Sequence, residues 1–282
     1  PKMSTTRPDP GGGADGVLQL GERTVIGRTR SASNATFLCE ATLGERTRHC
    51  VYKPVRGEAP LWDFPDGTLA GRELASYLVS AALGWNIVPY TIIGDGPAGP
   101  GMVQRWVDQP SDSADDDVAD DVAAGPDLID LVPSGKIPAG FLPVLDAYDY
   151  AGDEVTLVHA DDDRLRRMAV LDVLINNADR KGGHVLSGID GYVYGVDHGV
   201  TLHVEDKLRT VLWGWAGKAV DDDTLEAVAC LGDALNDDLG AELHCHITPR
   251  EVATLRARVV ALLRNPVMPG PDRRRPIPWP AF

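Results

Sequence analysis

The stretch from Leu171 to Gly199 constrains this chain more than any other. Leu171 to Ile175 is apolar enough for a buried helix turn or strand, and it runs directly into the polar run Asn176-Asn177-Ala178-Asp179-Arg180-Lys181-Gly182-Gly183-His184. Two glycines end any helix there. The chain turns apolar at Val185-Leu186, reverses through Gly188-Ile189-Asp190-Gly191, and returns as Tyr192-Val193-Tyr194-Gly195-Val196 to deliver Asp197. Such a hairpin brings Asp197 back beside the 179–184 loop. Gathered there, two carboxylates and an imidazole match the needs of phosphoryl transfer. One carboxylate orients and deprotonates an attacking hydroxyl, and a metal site neutralises the charge on the transferring phosphate. Taken singly, Asp179 also reads as a turn or cap residue and His184 as a surface histidine. Asp197, between a strand and His198-Gly199, sits poorly in a core unless something binds it.

This pattern resembles the catalytic and metal-binding loops of the phosphatidylinositol 3-/4-kinase superfamily and the HipA-like bacterial kinases: an Asp, four residues, an Asn, then a strand hairpin ending in a second metal-binding Asp. The chain is identified as a member of an actinobacterial family distantly related to them. The resemblance implies an α+β, bilobal protein-kinase-like fold with an antiparallel-sheet N-lobe and a mainly helical C-lobe. It implies Asp179 as catalytic base, His184 and Asp197 as metal ligands, and Asp172 as a brace behind the loop. His stands where the family has Asn, and an imidazole suits Mn²⁺ better than Mg²⁺.

The amino-terminal part supplies the rest of a nucleotide site. Alternating, β-branched segments around Thr24–Ile26, Ala35–Cys39 and His49–Tyr52 predict an antiparallel meander. Between the first two lies a short loop of small polar residues containing Ser31, Ala32, Ser33 and Asn34, able to offer N–H and hydroxyl groups to phosphates. No Walker loop occurs, and a plain hairpin turn is the other reading. Lys53 ends the third segment, where kinase-like folds place the lysine that grips the α/β-phosphates. A solvated edge-strand lysine is the alternative. Residues 71–83 have helical spacing, and Glu73 in the first turn is placed to pair with Lys53. Two strands follow at 87–93 and 102–107. In the resembled fold the second becomes the hinge, where Gln104, Arg105, Trp106 and Val107 read the adenine edge; Trp106 reads equally as core.

The 282 residues allow one bilobal domain or two small ones. The expected divisions are a disordered amino-terminal tail (1–17), a nucleotide-binding N-lobe (18–108), an acidic linker or insert (109–140) and a helical C-lobe (141–282). The net charge of −15 disfavours nucleic acid and anionic membrane as partners and weakens the lipid-kinase branch of the resemblance. No apolar run is long enough for an integral membrane span and no signal peptide is visible, so a cytoplasmic location is expected. Cys39, Cys50, Cys230 and Cys245 show no paired spacing and are read as free thiols. His244-Cys245-His246 invites a metal reading but reads better as a strand or helix-end segment, because adjacent residues point apart. Helices are expected at 144–158, 165–175, 224–239 and 249–263, with Asp161–Asp163, Asp221–Asp223 and Thr248 as caps. Trp213 and Trp215 are expected to be buried.

The resulting expectation is an ATP- and Mg²⁺- or Mn²⁺-dependent kinase, its acceptor an unspecified protein or small-molecule hydroxyl. Adenylyl transfer and a nucleotide-binding pseudokinase are the alternatives.

Overall fold

A computed structural model describes residues 14–28, 35–65, 68–110 and 127–282. Chain order begins with helix α1 (Ala14–Leu20) and strands β1 (Glu22–Arg28), β2 (Phe37–Leu43) and β3 (Arg46–Pro54). Helix α2 (Leu69–Ala82) and strands β4 (Thr91–Gly96) and β5 (Gly99–Arg105) complete the first half. These strands form one antiparallel sheet in the order β1-β2-β3-β5-β4. The expected meander and the later strand pair thus join into a single sheet.

Residues 14–17, the last of the tail expected to be disordered, instead open α1. Val17 and Leu18 are buried with Cys39, Ala41, Cys50, Tyr52 and Val103, so the helix covers one sheet face. Leaving those two side chains in water would forgo about 1.5–3 kcal/mol each. Helix α2 packs elsewhere, and its Ala75 and Val79 enter the main core with Leu171, Leu231 and Leu255.

The second half opens with a departure from expectation. The predicted helix over 144–158 is two strands, β7 (Phe141–Tyr148) and β8 (Glu154–Ala160), paired antiparallel. Asp149-Tyr150-Ala151-Gly152-Asp153 makes the turn: Asp149 Oδ1 accepts the Ala151 and Asp153 N–H groups, and Gly152 takes φ 88°. Those are turn residues, and they interrupt a run whose Val155, Thr156 and Val158 favour strand. Strand β6 (Ile129–Pro133) pairs with β8 from within the stretch expected to be linker; residues 111–126, with most of its acidity, lie outside the described set.

Helix α3 (Asp163–Ile175) starts at Asp162, which accepts the Arg164 N–H. Strands β9 (Val185–Ser187) and β10 (Val193–Gly195) form the expected hairpin. The expected helix at 224–239 is two, α4 (Asp222–Ala234), capped by Asp221, and α5 (Asp238–Leu243). Helix α6 (Pro249–Arg264) carries a full capping box between Thr248 and Glu251. Trp213 and Trp215 are buried, and Trp215 Nε1 donates to Asp161 Oδ1 at 2.8 Å. The whole is a mixed α+β fold with antiparallel sheets. Among the described residues no helix is long and apolar enough to cross a membrane.

Candidate active site

Helix α3 determines where the central loop begins. It ends at Asn176, in the left-handed region at φ 52°, a conformation asparagine tolerates. The Asn176 side chain donates to the carbonyls of His203 and Glu205 and accepts the Lys207 N–H, pinning a distant segment to the helix end. One turn back, Asp172 is fully buried and accepts from Asn177 Nδ2 at 2.9 Å and from Arg180 Nε and Nη2 at 3.0 and 2.9 Å. Arg180 is equally buried and also donates to the carbonyls of His184 and Val196 and to His198 Nε2. Burial, with Arg180 beside it, keeps His198 neutral. This hub fixes the loop that carries Asp179 and His184 against the segment that carries Asp197. Gly195 belongs to it, since a Cβ there would stand 2.9 Å from the Arg180 guanidinium.

Around the hub the sequence-selected residues converge. Lys53 Nζ donates to Glu73 Oε1 at 2.8 Å and also to Asp197 Oδ1. Burial works against the Lys53 charge, but Glu73 and Asp197 outweigh it and hold the pKa above the ordinary lysine value. Glu73, nearly buried, accepts the His198 N–H with its other oxygen at 2.8 Å. Asp197 adopts φ 60°, a costly conformation for a residue with a Cβ. Burial raises the Asp179 pKa above the usual carboxylate range, against the opposing pull of Lys181, 3.6 Å away.

His184 bears on metal binding. Burial lowers its pKa to about 4, so the ring is neutral. Its Nδ1 lies 2.8 Å from the Asp179 carbonyl, which an Nδ1–H satisfies and which leaves a lone pair on Nε2. That nitrogen stands 3.4 Å from Asp197 Oδ2. Two lone-pair donors face each other, an arrangement that a divalent cation would stabilise. Among the described residues no group of three or more His, Cys, Asp or Glu side chains is placed to hold a metal ion. An ion at this pair would have to take its remaining ligands from elsewhere, such as water or a bound ligand's oxygens.

Lys53, Glu73, Asp179, His184 and Asp197 all line one cavity of about 440 Å³. Sequence reasoning missed several of its walls. Lys181 and Arg209 enter it, and the connection from β3 to α2 contributes Glu58, Asp63 and Phe64. Glu58 is engaged by the first N–H groups of α2, those of Leu69 and Ala70, at 2.9 and 2.8 Å. The spacing of Lys181 two residues after Asp179 was a usable signal; Arg209 and the 58–65 connection carry none.

The proposed hinge residues stand apart. Gln104 is buried, with Nε2 donating to Thr91 Oγ1 at 2.9 Å. The backbone N–H groups of Arg105 and Trp106 go to the carbonyls of Tyr90 and His49. Arg105, Trp106 and Val107 line a second cavity of about 440 Å³ with Tyr194, whose hydroxyl accepts from Arg105 Nη2 at 2.9 Å. Ser31, Ala32, Ser33 and Asn34 lie outside the described residues.

Fold and site together define a mixed α+β protein with a charged cavity framed by a strand lysine, a helix glutamate and two loop aspartates. No family model matches the chain. It is 68% identical over 266 residues to Protein Rv2133c of Mycobacterium tuberculosis (strain ATCC 25618 / H37Rv), spanning 94% of each chain, and it belongs to the family of that protein. Among solved structures it is similar to the Helicobacter pylori proinflammatory kinase CtkA, with a TM-score of 0.44 and 9% identity over 89% of this chain and 94% of that one.

Proposed function

We propose that the chain is an ATP- and divalent-metal-dependent phosphotransferase acting on the hydroxyl of a protein or small molecule. One observation carries the reading: Lys53, on the third strand of its sheet, bridges Glu73 on the following helix and Asp197 in a cavity that also holds Asp179. Protein kinases use this combination of a β3 lysine, a helix glutamate, a metal-binding aspartate and a second aspartate for the acceptor proton. In this reading Lys53 holds the α/β-phosphates and Glu73 holds Lys53 extended. Mg²⁺ or Mn²⁺ at His184 and Asp197 would neutralise charge on the transferring group, and the imidazole favours Mn²⁺. Asp179 takes the acceptor proton as the new O–P bond forms, the β–γ bridging bond breaks and ADP leaves. A cytoplasmic site of action, where ATP is abundant, belongs to the same proposal.

The test is incubation of the full chain with ATP, either metal and a total cell extract as acceptor source, with nucleotide products and intact protein mass followed over time. ADP formation lost in Asp179→Asn is expected. AMP with an adenylyl mass increment would move the assignment to adenylyl transfer, and unchanged ATP with both metals would overturn it.

A further inference from the structure

Among the basic residues lining the catalytic cavity, Arg209 is distinctive. Lys53 is paired with Glu73 and Asp197, and Lys181 lies 3.6 Å from Asp179. The lining carboxylates are also engaged: Glu58 by the start of α2, Asp63 by Lys207 at 3.3 Å, Glu73 by Lys53. Arg209 alone among the cavity's described lysines and arginines has no carboxylate within ion-pair distance.

Its position is nevertheless fixed. The Arg209 N–H donates to the Asn177 carbonyl at 2.9 Å, its carbonyl accepts the Arg180 N–H at 3.0 Å, and the Val211 N–H donates to the Arg180 carbonyl at 3.1 Å. Residues 209–211 are thereby zipped to the backbone on both sides of Asp179. Arg209 feels the Asp179 carboxylate at longer range, but with no carboxylate at ion-pair distance its guanidinium keeps donors for an incoming anion. Arginine's planar fork matches the two oxygens of a phosphate or carboxylate.

The side of the cavity decides which anion this is. Nucleotide phosphates belong with Lys53 and Asp197, whereas Arg209 is attached beside Asp179, the group that must touch the acceptor hydroxyl. The wall favours a small acceptor. Asp63 of the 58–65 connection is tied to Lys207, two residues before Arg209, and Lys207 Nζ also lies 5.5 Å from the centre of the Phe64 ring. A wall braced in this way, around a cavity of about 440 Å³, suits a small molecule.

We propose that the acceptor is a small alcohol bearing an oxyanion group, phosphate or carboxylate, and that Arg209 seats that group so that the hydroxyl meets Asp179. This rests on the phosphotransferase reading.

The experiment is calorimetric titration of inorganic phosphate, and separately of formate, into the full chain saturated with a non-hydrolysable ATP analogue and Mg²⁺. One of the two anions is expected to bind, and Arg209→Gln is expected to weaken it roughly tenfold or more. Analogue affinity should stay within about twofold, since the fork serves the acceptor and not the nucleotide. Arg209→Lys, which keeps charge and loses the fork, should fall between. Phosphate binding assigns a phosphorylated alcohol; formate binding in its place assigns a hydroxy acid. Binding of neither anion, binding indifferent to the substitution, or parallel loss of analogue affinity would overturn the proposal. Failure of the analogue to bind wild-type protein is seen before any anion is added and refutes the nucleotide reading instead. The titrations into unloaded protein then still decide whether Arg209 seats an anion.

Discussion

Replacing Asp172 by Asn should expose how much the buried hub holds. The substitution keeps the side chain's shape and removes its charge. It leaves the Arg180 guanidinium, fully enclosed, with two carbonyls and His198 Nε2 but no counter-ion. Breaking one side of a buried pair costs about 3–5 kcal/mol. The asparagine oxygen can still accept one of the bonds now made by Arg180 or Asn177, so the lower end, about 3 kcal/mol, is expected. Against a total stability of roughly 5–15 kcal/mol this is severe, and the melting temperature should fall by roughly 6–12 °C. Urea unfolding followed by far-ultraviolet circular dichroism measures it, with an unchanged slope as the sign that the native state is otherwise intact. The double variant Asp172→Leu/Arg180→Met buries no charge and should be less destabilised than the summed single variants. A loss below about 1 kcal/mol for Asp172→Asn, or a double variant no better than additive, would refute the reasoning.

Asp179→Asn should abolish phosphoryl transfer while stabilising the fold at neutral pH. Because the folded protein raises the Asp179 pKa, the native state binds more protons than the unfolded one between the two values. Stability from this group is therefore present at low pH and lost as pH rises through the folded pKa. Thermal melts at pH 7 should show Asn at or above wild type, and a lower melting temperature for Asn would contradict that sign. The same shift places the acid limb of kcat/KM above the ordinary carboxylate range, readable in a pH–rate profile. Thr248→Ala removes the α6 capping box and should cost about 1 kcal/mol in urea unfolding, with nucleotide affinity unchanged because α6 does not line the cavity.

Much of the site was legible because its signals are local. The double glycine after Asp179, the Gly188–Gly191 reversal and the strand before Asp197 lie within one stretch, and the hairpin they predict forms. Lys53 and Glu73 needed only a strand end and a helix start. The Thr248-Pro249-Glu251 cap was read for the same reason. The failures are those of long-range packing. Nothing near Val17 and Leu18 announces the sheet face they cover, and the pairing of β7 with β8 and of β8 with β6 claims residues 144–158, which carry enough apolar positions for a helix. Asp172 was implied as a brace, but its partner Arg180 reads in sequence as an ordinary loop cation and becomes a hub only through burial. Arg209 reaches the cavity through backbone bonds to residues some thirty positions earlier.

The proposed reading puts a nucleotide together with a divalent ion in the Lys53–Asp197 cavity. It is tested most directly by titrating a non-hydrolysable ATP analogue into the protein with Mn²⁺, with Mg²⁺ and with chelator. Metal-dependent binding is expected, weakened roughly tenfold or more by Lys53→Met and by Asp197→Ala. Binding indifferent to metal and to both substitutions, or no binding at all, would contradict it.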